Sequence, residues 1–266
     1  MIRRDVIRPG RPDCWMLISQ VAHARLSYEL AREWQQGGVA PLEPRDEVLQ
    51  AVLHHDDGWA EWERSPDVDS KLGRPLSFLE MPIDEAVDIW WRSIAVAQSV
   101  GPVAAYLVSA HFSALVERAH DAHLASPHWL ELVDSFLQRQ ARMRGQWLSA
   151  WQSEARTDLD DVEAHYLAQR GLKQLQLFDA LSLWFCMAER SEPVTFYTPD
   201  GPPITWNPVS PAEVTVDPWP WPRPELQVEV TGRMIPMGCY PTREALSQAP
   251  SETALLGWIL RPAKPR

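Results

Sequence analysis

Apolar residues recur at spacings of three and four through the first two-thirds of the chain, the period of helices with one buried face. The pattern predicts helices over 15–35, 44–56, 83–99, 102–119, 128–154 and 159–189, joined mostly by short loops. Asp84 and Glu85 suit the electropositive first turn of the third helix, and Pro102 suits the first position of the fourth. The longest irregular stretch, 57–82, carries Gly58, Pro66, Gly73, Pro75 and Pro82, and its length suits a lid or a binding segment.

After Arg190 the pattern changes. Prolines crowd 193–224, and short alternating stretches such as Leu226-Gln-Val-Glu-Val-Thr read as strands with one buried face. Thr242 to Gln248 reads as a short helix and Leu255 to Leu260 as a last strand. The expected fold is mainly α: a helical bundle over 1–190 with a small C-terminal β-rich extension over 191–266 packed on it, α+β overall. Trp206, Trp219 and Trp221 are expected to cover the helical core.

Composition narrows the function. At 266 residues, 45% of them hydrophobic, the chain can bury one substantial core. The net charge of −11 argues against nucleic acid as a partner, since polynucleotide binders present basic stripes. It leaves room for a small anionic substrate held by a few local cations. No apolar run reaches the roughly 18 residues of a membrane span, so no membrane partner is expected. The start, Met1-Ile-Arg-Arg-Asp-Val, lacks a secretory apolar stretch, which makes the cytoplasm the default compartment. Cys14, Cys186 and Cys239 are too far apart for a zinc ribbon and are expected as small core residues. Nothing in the pattern separates a monomer from a homo-oligomer.

The chemistry centres on Val52-Leu53-His54-His55-Asp56-Asp57-Gly58-Trp59. At 100° per residue, Val48, Leu49, Val52 and Leu53 form one apolar arc. Asp56 falls inside that arc, His55 lies beside it, and His54 points to the other side. A carboxylate and an imidazole on an apolar face are costly to bury without a partner, and a divalent metal is a common one. His23 shares a helical face with Met16, Leu26, Leu30 and Trp34. His111 shares one with Leu107, Val108 and Leu115, and Asp179 lies among Leu172, Leu175, Leu183 and Cys186. The bland alternatives are hydrogen-bonded core histidines and a buried arginine partner for Asp179.

Taken in chain order, His23, His55-Asp56, His111 and Asp179 resemble the HD superfamily of metal-dependent phosphohydrolases. His55-Asp56-Asp57-Gly58 is similar to that superfamily's H-D-x-G form. More narrowly, Ser19-Gln-Val-Ala-His23, His54 to Trp59, Gly73-Arg74-Pro75-Leu-Ser-Phe78, Ser109-Ala-His111-Phe112 and Phe178-Asp179-Ala-Leu-Ser resemble a bacterial domain-of-unknown-function family with an HD-like core. The resemblance implies an HD-like all-helical metal-binding domain over 1–190. It further implies that His23, His55, Asp56 and Asp179 ligate one divalent transition metal (Fe, Mn, Co, Ni or Zn), with His111 protonating a leaving group or ligating a second metal. Asp57 would position a water and His54 would orient a ligand from behind. Arg74, Lys71 and Trp59, on the loop after the metal pair, would contact an anionic substrate. His120, His123 and His128 lie where binuclear relatives carry further ligands, but read as an exposed helix end and loop.

Three functions fit: hydrolysis of a small phosphoester such as a nucleotide, oxidation by a di-iron version of the scaffold, and a non-catalytic metal-stabilised sensor or interaction module.

Overall fold

The computed structural model describes residues 1–7, 10, 12–35, 37–154 and 159–264. Two strands, β1 (Ile2–Val6) and β2 (Cys14–Ile18), pair antiparallel before the first helix begins. On its other side β2 pairs with β6 (Leu226–Pro236), from the far end of the chain. With β3 (Val194–Phe196), β4 (Ile204–Ser210), β5 (Glu213–Asp217) and β7 (Glu252–Pro262), these make a curled seven-stranded sheet ordered β1-β2-β6-β7-β5-β4-β3. Neighbouring strands are antiparallel except β5 and β7, which run parallel. The fold is therefore α+β with a large mixed sheet. This corrects both the expected mainly α, HD-like bundle with a small β extension and the all-helical character expected of 1–190.

The helices are α1 (Gln20–Ala31), α2 (Arg45–His54), the single turn α3 (Trp59–Trp62), α4 (Ile83–Val100), α5 (Pro102–Ala119), α6 (Pro127–Glu154), α7 (Asp161–Met187) and the short α8 (Arg243–Ser247). The expected helix over 15–35 divides at Ser19, because Trp15-Met-Leu-Ile18 is a strand buried on both faces. Met16 and Ile18 face the main core, whereas Leu17 joins a second cluster with Ile235 and Leu246. Burial on both faces erases the alternation that marks a strand. Ser19 then accepts a hydrogen bond from the Ala22 amide at 3.0 Å and starts α1.

One face of the sheet packs on the helices. Along β6, Leu226, Val228, Val230 and Met234 point inward at period two. The Trp-rich segment docks where α1 ends: Trp221 is wholly buried, with ring centroids 5.6 Å from Trp34 and 6.0 Å from Trp206. Its indole N–H donates to the Leu30 carbonyl at 2.9 Å, one of the acceptors that a helix end leaves open. Trp206 is equally buried, and Trp219 packs partly buried beside Trp221. Of the cysteines, Cys14 and Cys186 are core residues. Cys239 is exposed, a correction that follows from its place in the turn between β6 and α8. Among the described residues no helix is long and apolar enough to cross a membrane.

Trp221→Ala removes a core side chain and the cap on α1 together. It is expected to lower unfolding stability by about 3–5 kcal/mol in urea titrations. A loss under about 1 kcal/mol would contradict the docking described here.

Candidate metal centre

Four helices meet where the sequence-predicted polar residues lie. α1 brings His23, the C-terminal end of α2 brings His55 and Asp56, α5 brings His111, and α7 brings Asp179. After α2 the backbone turns on in helical conformation, and the Trp59 amide bonds to the Asp56 carbonyl at 3.1 Å. Gly58 fixes this turn against α4. A Cβ there would lie 2.2 Å from the Ile89 carbonyl oxygen and 2.4 Å from the Ser93 amide nitrogen, so only glycine lets the backbones approach this closely. The Gly58 amide donates to Ser93 Oγ at 3.0 Å.

His23 Nε2 lies 3.0 Å from Asp179 Oδ1 and 3.8 Å from Asp56 Oδ2. His55 donates through Nδ1 to the Val52 carbonyl at 2.8 Å, which leaves Nε2 as its inward atom. That Nε2 is buried without a hydrogen-bond partner, 3.4 Å from Asp56 Oδ2 and 3.6 Å from Asp179 Oδ1. One ligand atom each from His23, His55 and Asp179 falls within 4.8 Å of the others. His111 closes the group, its Nε2 3.8 Å from Asp179 Oδ2 and its Nδ1 buried without a partner. The side chain of Asp179 is 15% exposed and the other four are still more deeply buried, so its edge is the face nearest solvent.

Burial and charge compete here. Burial alone would lower the His55 pKa, but the fields of Asp56 and Asp179 reverse this and raise it to about 9. For His111 burial wins over Asp179 and pushes it down to about 4, so the ring is neutral at pH 7. Burial raises Asp56, an effect its neighbours His55 and His23 only partly offset. Asp179 goes the other way: burial would raise it, but hydrogen bonding and charge from the surrounding histidines hold it well below the usual carboxylate range.

The other predicted residues stand apart from this group. His54 Nδ1 bonds to Asp57 Oδ2 at 2.7 Å, and the two form a partly exposed pair on the outer side of the turn. Arg74 binds Glu80 at 2.6 Å, a carboxylate it shares with Arg3, and Lys71 is exposed. Trp59 is buried against Trp62. His120 and His123 lie against Trp129, and His128 pairs with Asp84. Two serines to which the sequence pattern assigns no role also contribute. Ser182 Oγ lies 2.6 Å from His23 Nδ1, and Ser27 Oγ lies 2.7 Å from Ser182 Oγ. Their spacing was the available signal, since Ser27 follows His23 by four residues and Ser182 follows Asp179 by three, one helical turn in each case. A broad groove of about 1010 Å³, lined by Glu43, Arg45, Val103, Trp151 and Leu167 among others, lies at the start of α2. It is about 15 Å along the helix from His55.

Two imidazoles and one carboxylate, from His23, His55 and Asp179, form a donor set that could hold a divalent transition metal, with Asp56 beside it at 3.4 Å from His55 and 3.8 Å from His23. Because the His55 pKa is raised to about 9, a metal binding through its Nε2 below that pH must expel a proton. Apparent affinity is therefore expected to rise about tenfold per pH unit toward pH 9 and level off above it. Calorimetry of Zn²⁺ or Mn²⁺ binding at pH 7, in buffers of different ionisation enthalpy, should detect about one released proton. A pH-independent affinity would contradict this ligand assignment.

Searches of curated proteins and of solved structures return no match. A scan of known families matches residues 6–237 to the description "Protein of unknown function (DUF3891)". The match spans most of the sequence, and the chain belongs to the DUF3891 family.

Proposed function

We propose that the protein is a metal-dependent hydrolase of a small phosphoester, with His23, His55, Asp56 and Asp179 holding one divalent transition metal. The observation that carries this reading is His55 Nε2. It is a fully buried nitrogen whose partner nitrogen is already committed to Val52 and which faces two carboxylates without a hydrogen bond. Buried polar atoms left in that state call for an explanation, and a cation held among such donors would supply one. The order His23, His55-Asp56, Asp179 resembles that of HD-superfamily phosphohydrolases and supports the choice of reaction. The resemblance lies in the ligands and their order, not in the fold as a whole.

A metal bound there would polarise a phosphoryl oxygen and acidify a water. The protein's own groups do the rest. Asp179, ionised and at the rim, marks the side from which substrate approaches. His111 enters as a neutral imidazole, able to ligate or to hydrogen-bond an oxygen, and can protonate a leaving group only after gaining a proton. Arg74 is already engaged by Glu80, so phosphate binding in this reading rests chiefly on the metal itself.

A second reading, a metal-stabilised module without turnover, is favoured by one observation: His23, His55, Asp56 and His111 are each 5% exposed or less. The two readings separate in one experiment. The protein is supplied with Mn²⁺, Co²⁺ or Zn²⁺ and tested against phosphomonoesters and nucleotides. Hydrolysis that needs the metal and disappears in Asp179→Ala is the expected result. If metal at a hundredfold excess over Kd adds about 2.7 kcal/mol of stability with no turnover on any substrate, the module reading replaces hydrolysis.

A further inference from the structure

We propose that Ser182 is a positioning residue for the metal: when the ion binds, its hydroxyl accepts the Nδ1–H of His23, leaves the Nε2 lone pair free for the ion held with Asp56 and Asp179, and is itself held by Ser27. The inference rests on the metal reading above and adds the device that sets the ligand's tautomer. Both serines are wholly buried between α1 and α7, so neither hydroxyl can turn to solvent.

The protons can be placed one by one. With Nε2 free as a ligand, Nδ1 carries the hydrogen and donates to Ser182 Oγ at 2.6 Å. Ser182 O–H can then donate to the Asp179 carbonyl one turn back, at 3.1 Å. Ser27 O–H has two acceptors, Ser182 Oγ at 2.7 Å and the His23 carbonyl at 3.2 Å. Each donor in this set has an acceptor. In the opposite tautomer Nε2–H points at Asp179 Oδ1, 3.0 Å away, and the lone pair a metal needs is occupied by that hydrogen. An alanine at 182 leaves Nδ1–H buried without an acceptor and tips the balance toward this blocked form. Histidine ligands are commonly held in this way through their second nitrogen, and loss of such a partner typically costs about 10–100-fold in metal affinity.

The test uses Zn²⁺ with the full chain. Ser182→Ala, which keeps a good helix former in α7, is expected to fold as the native protein does and to bind Zn²⁺ about 10–100-fold more weakly. Ser27→Ala is expected to show a smaller fall, since Ser182 keeps its other contacts. A merely structural role would not move the second readout, the ring nitrogens of His23 seen by long-range proton–nitrogen NMR. In zinc-loaded native protein Nδ1 should carry a slowly exchanging proton, and Ser182→Ala should lose that protection. A folded Ser182→Thr, which retains the hydroxyl, should follow the native protein. Equal Zn²⁺ affinity in native and Ser182→Ala, with His23 unchanged in the spectrum, would overturn this inference alone. Native protein that binds no Zn²⁺ would overturn it together with the metal reading.

Discussion

Two carboxylates and three imidazoles share one nearly dry space at the centre of this protein, and much of the architecture serves that arrangement. Asp56 and Asp179 lose the hydration that would ordinarily stabilise them, and each depends on the histidines for compensation. The compensation is unequal. Asp179, with His23 at 3.0 Å, stays ionised well below the normal carboxylate range, whereas burial pulls Asp56 upward. One nitrogen of His55 makes no hydrogen bond, although both carboxylates lie within ion-pair distance of it. A cation of suitable chemistry would resolve both imbalances.

Holding such a group together needs four helix segments in fixed relation, and the sheet supplies much of that fixity. Strand β2 ends at Ile18, Ser19 caps the next helix, and His23 follows four residues later. The register of β2 between β1 and β6 therefore sets where α1 starts and so where His23 lies. At the other end of α1, Trp221 caps the Leu30 carbonyl and packs on Trp34. Gly58 does a corresponding service for His55 and Asp56, letting their turn press against the backbone of α4. The C-terminal third of the chain thus acts on the site from a distance, through α1.

Much of the site can be read in the sequence because helices convert spacing into direction. The 100° step sends His55 inward and His54 outward, and in the structure His55 is buried while His54 lies near the surface against Asp57. His111 and Asp179 stand out for the same reason, as polar residues inside apolar stripes. The sheet was harder to see. Cys14–Ile18 is apolar without a break because both its faces are covered, so period two vanishes and the run reads as the start of a helix. Strand β1, Ile-Arg-Arg-Asp-Val, carries too few apolar residues to announce itself, and its sheet is completed more than 200 residues later. The roles of Ser27 and Ser182 are not legible in the sequence, even though Ser182 ends the stretch Phe178-Asp179-Ala-Leu-Ser, because a serine on a helix face carries no hydropathy signal and only the position of the His23 ring gives it meaning.

Metal content measured directly on the purified protein tests the central claim. Native protein prepared without chelator should carry about one divalent transition metal per chain, and His23→Ala and Asp179→Ala should fold but arrive empty. Full occupancy in both variants would contradict the account, because it would place the metal on residues other than those gathered at the meeting of α1, α2, α5 and α7.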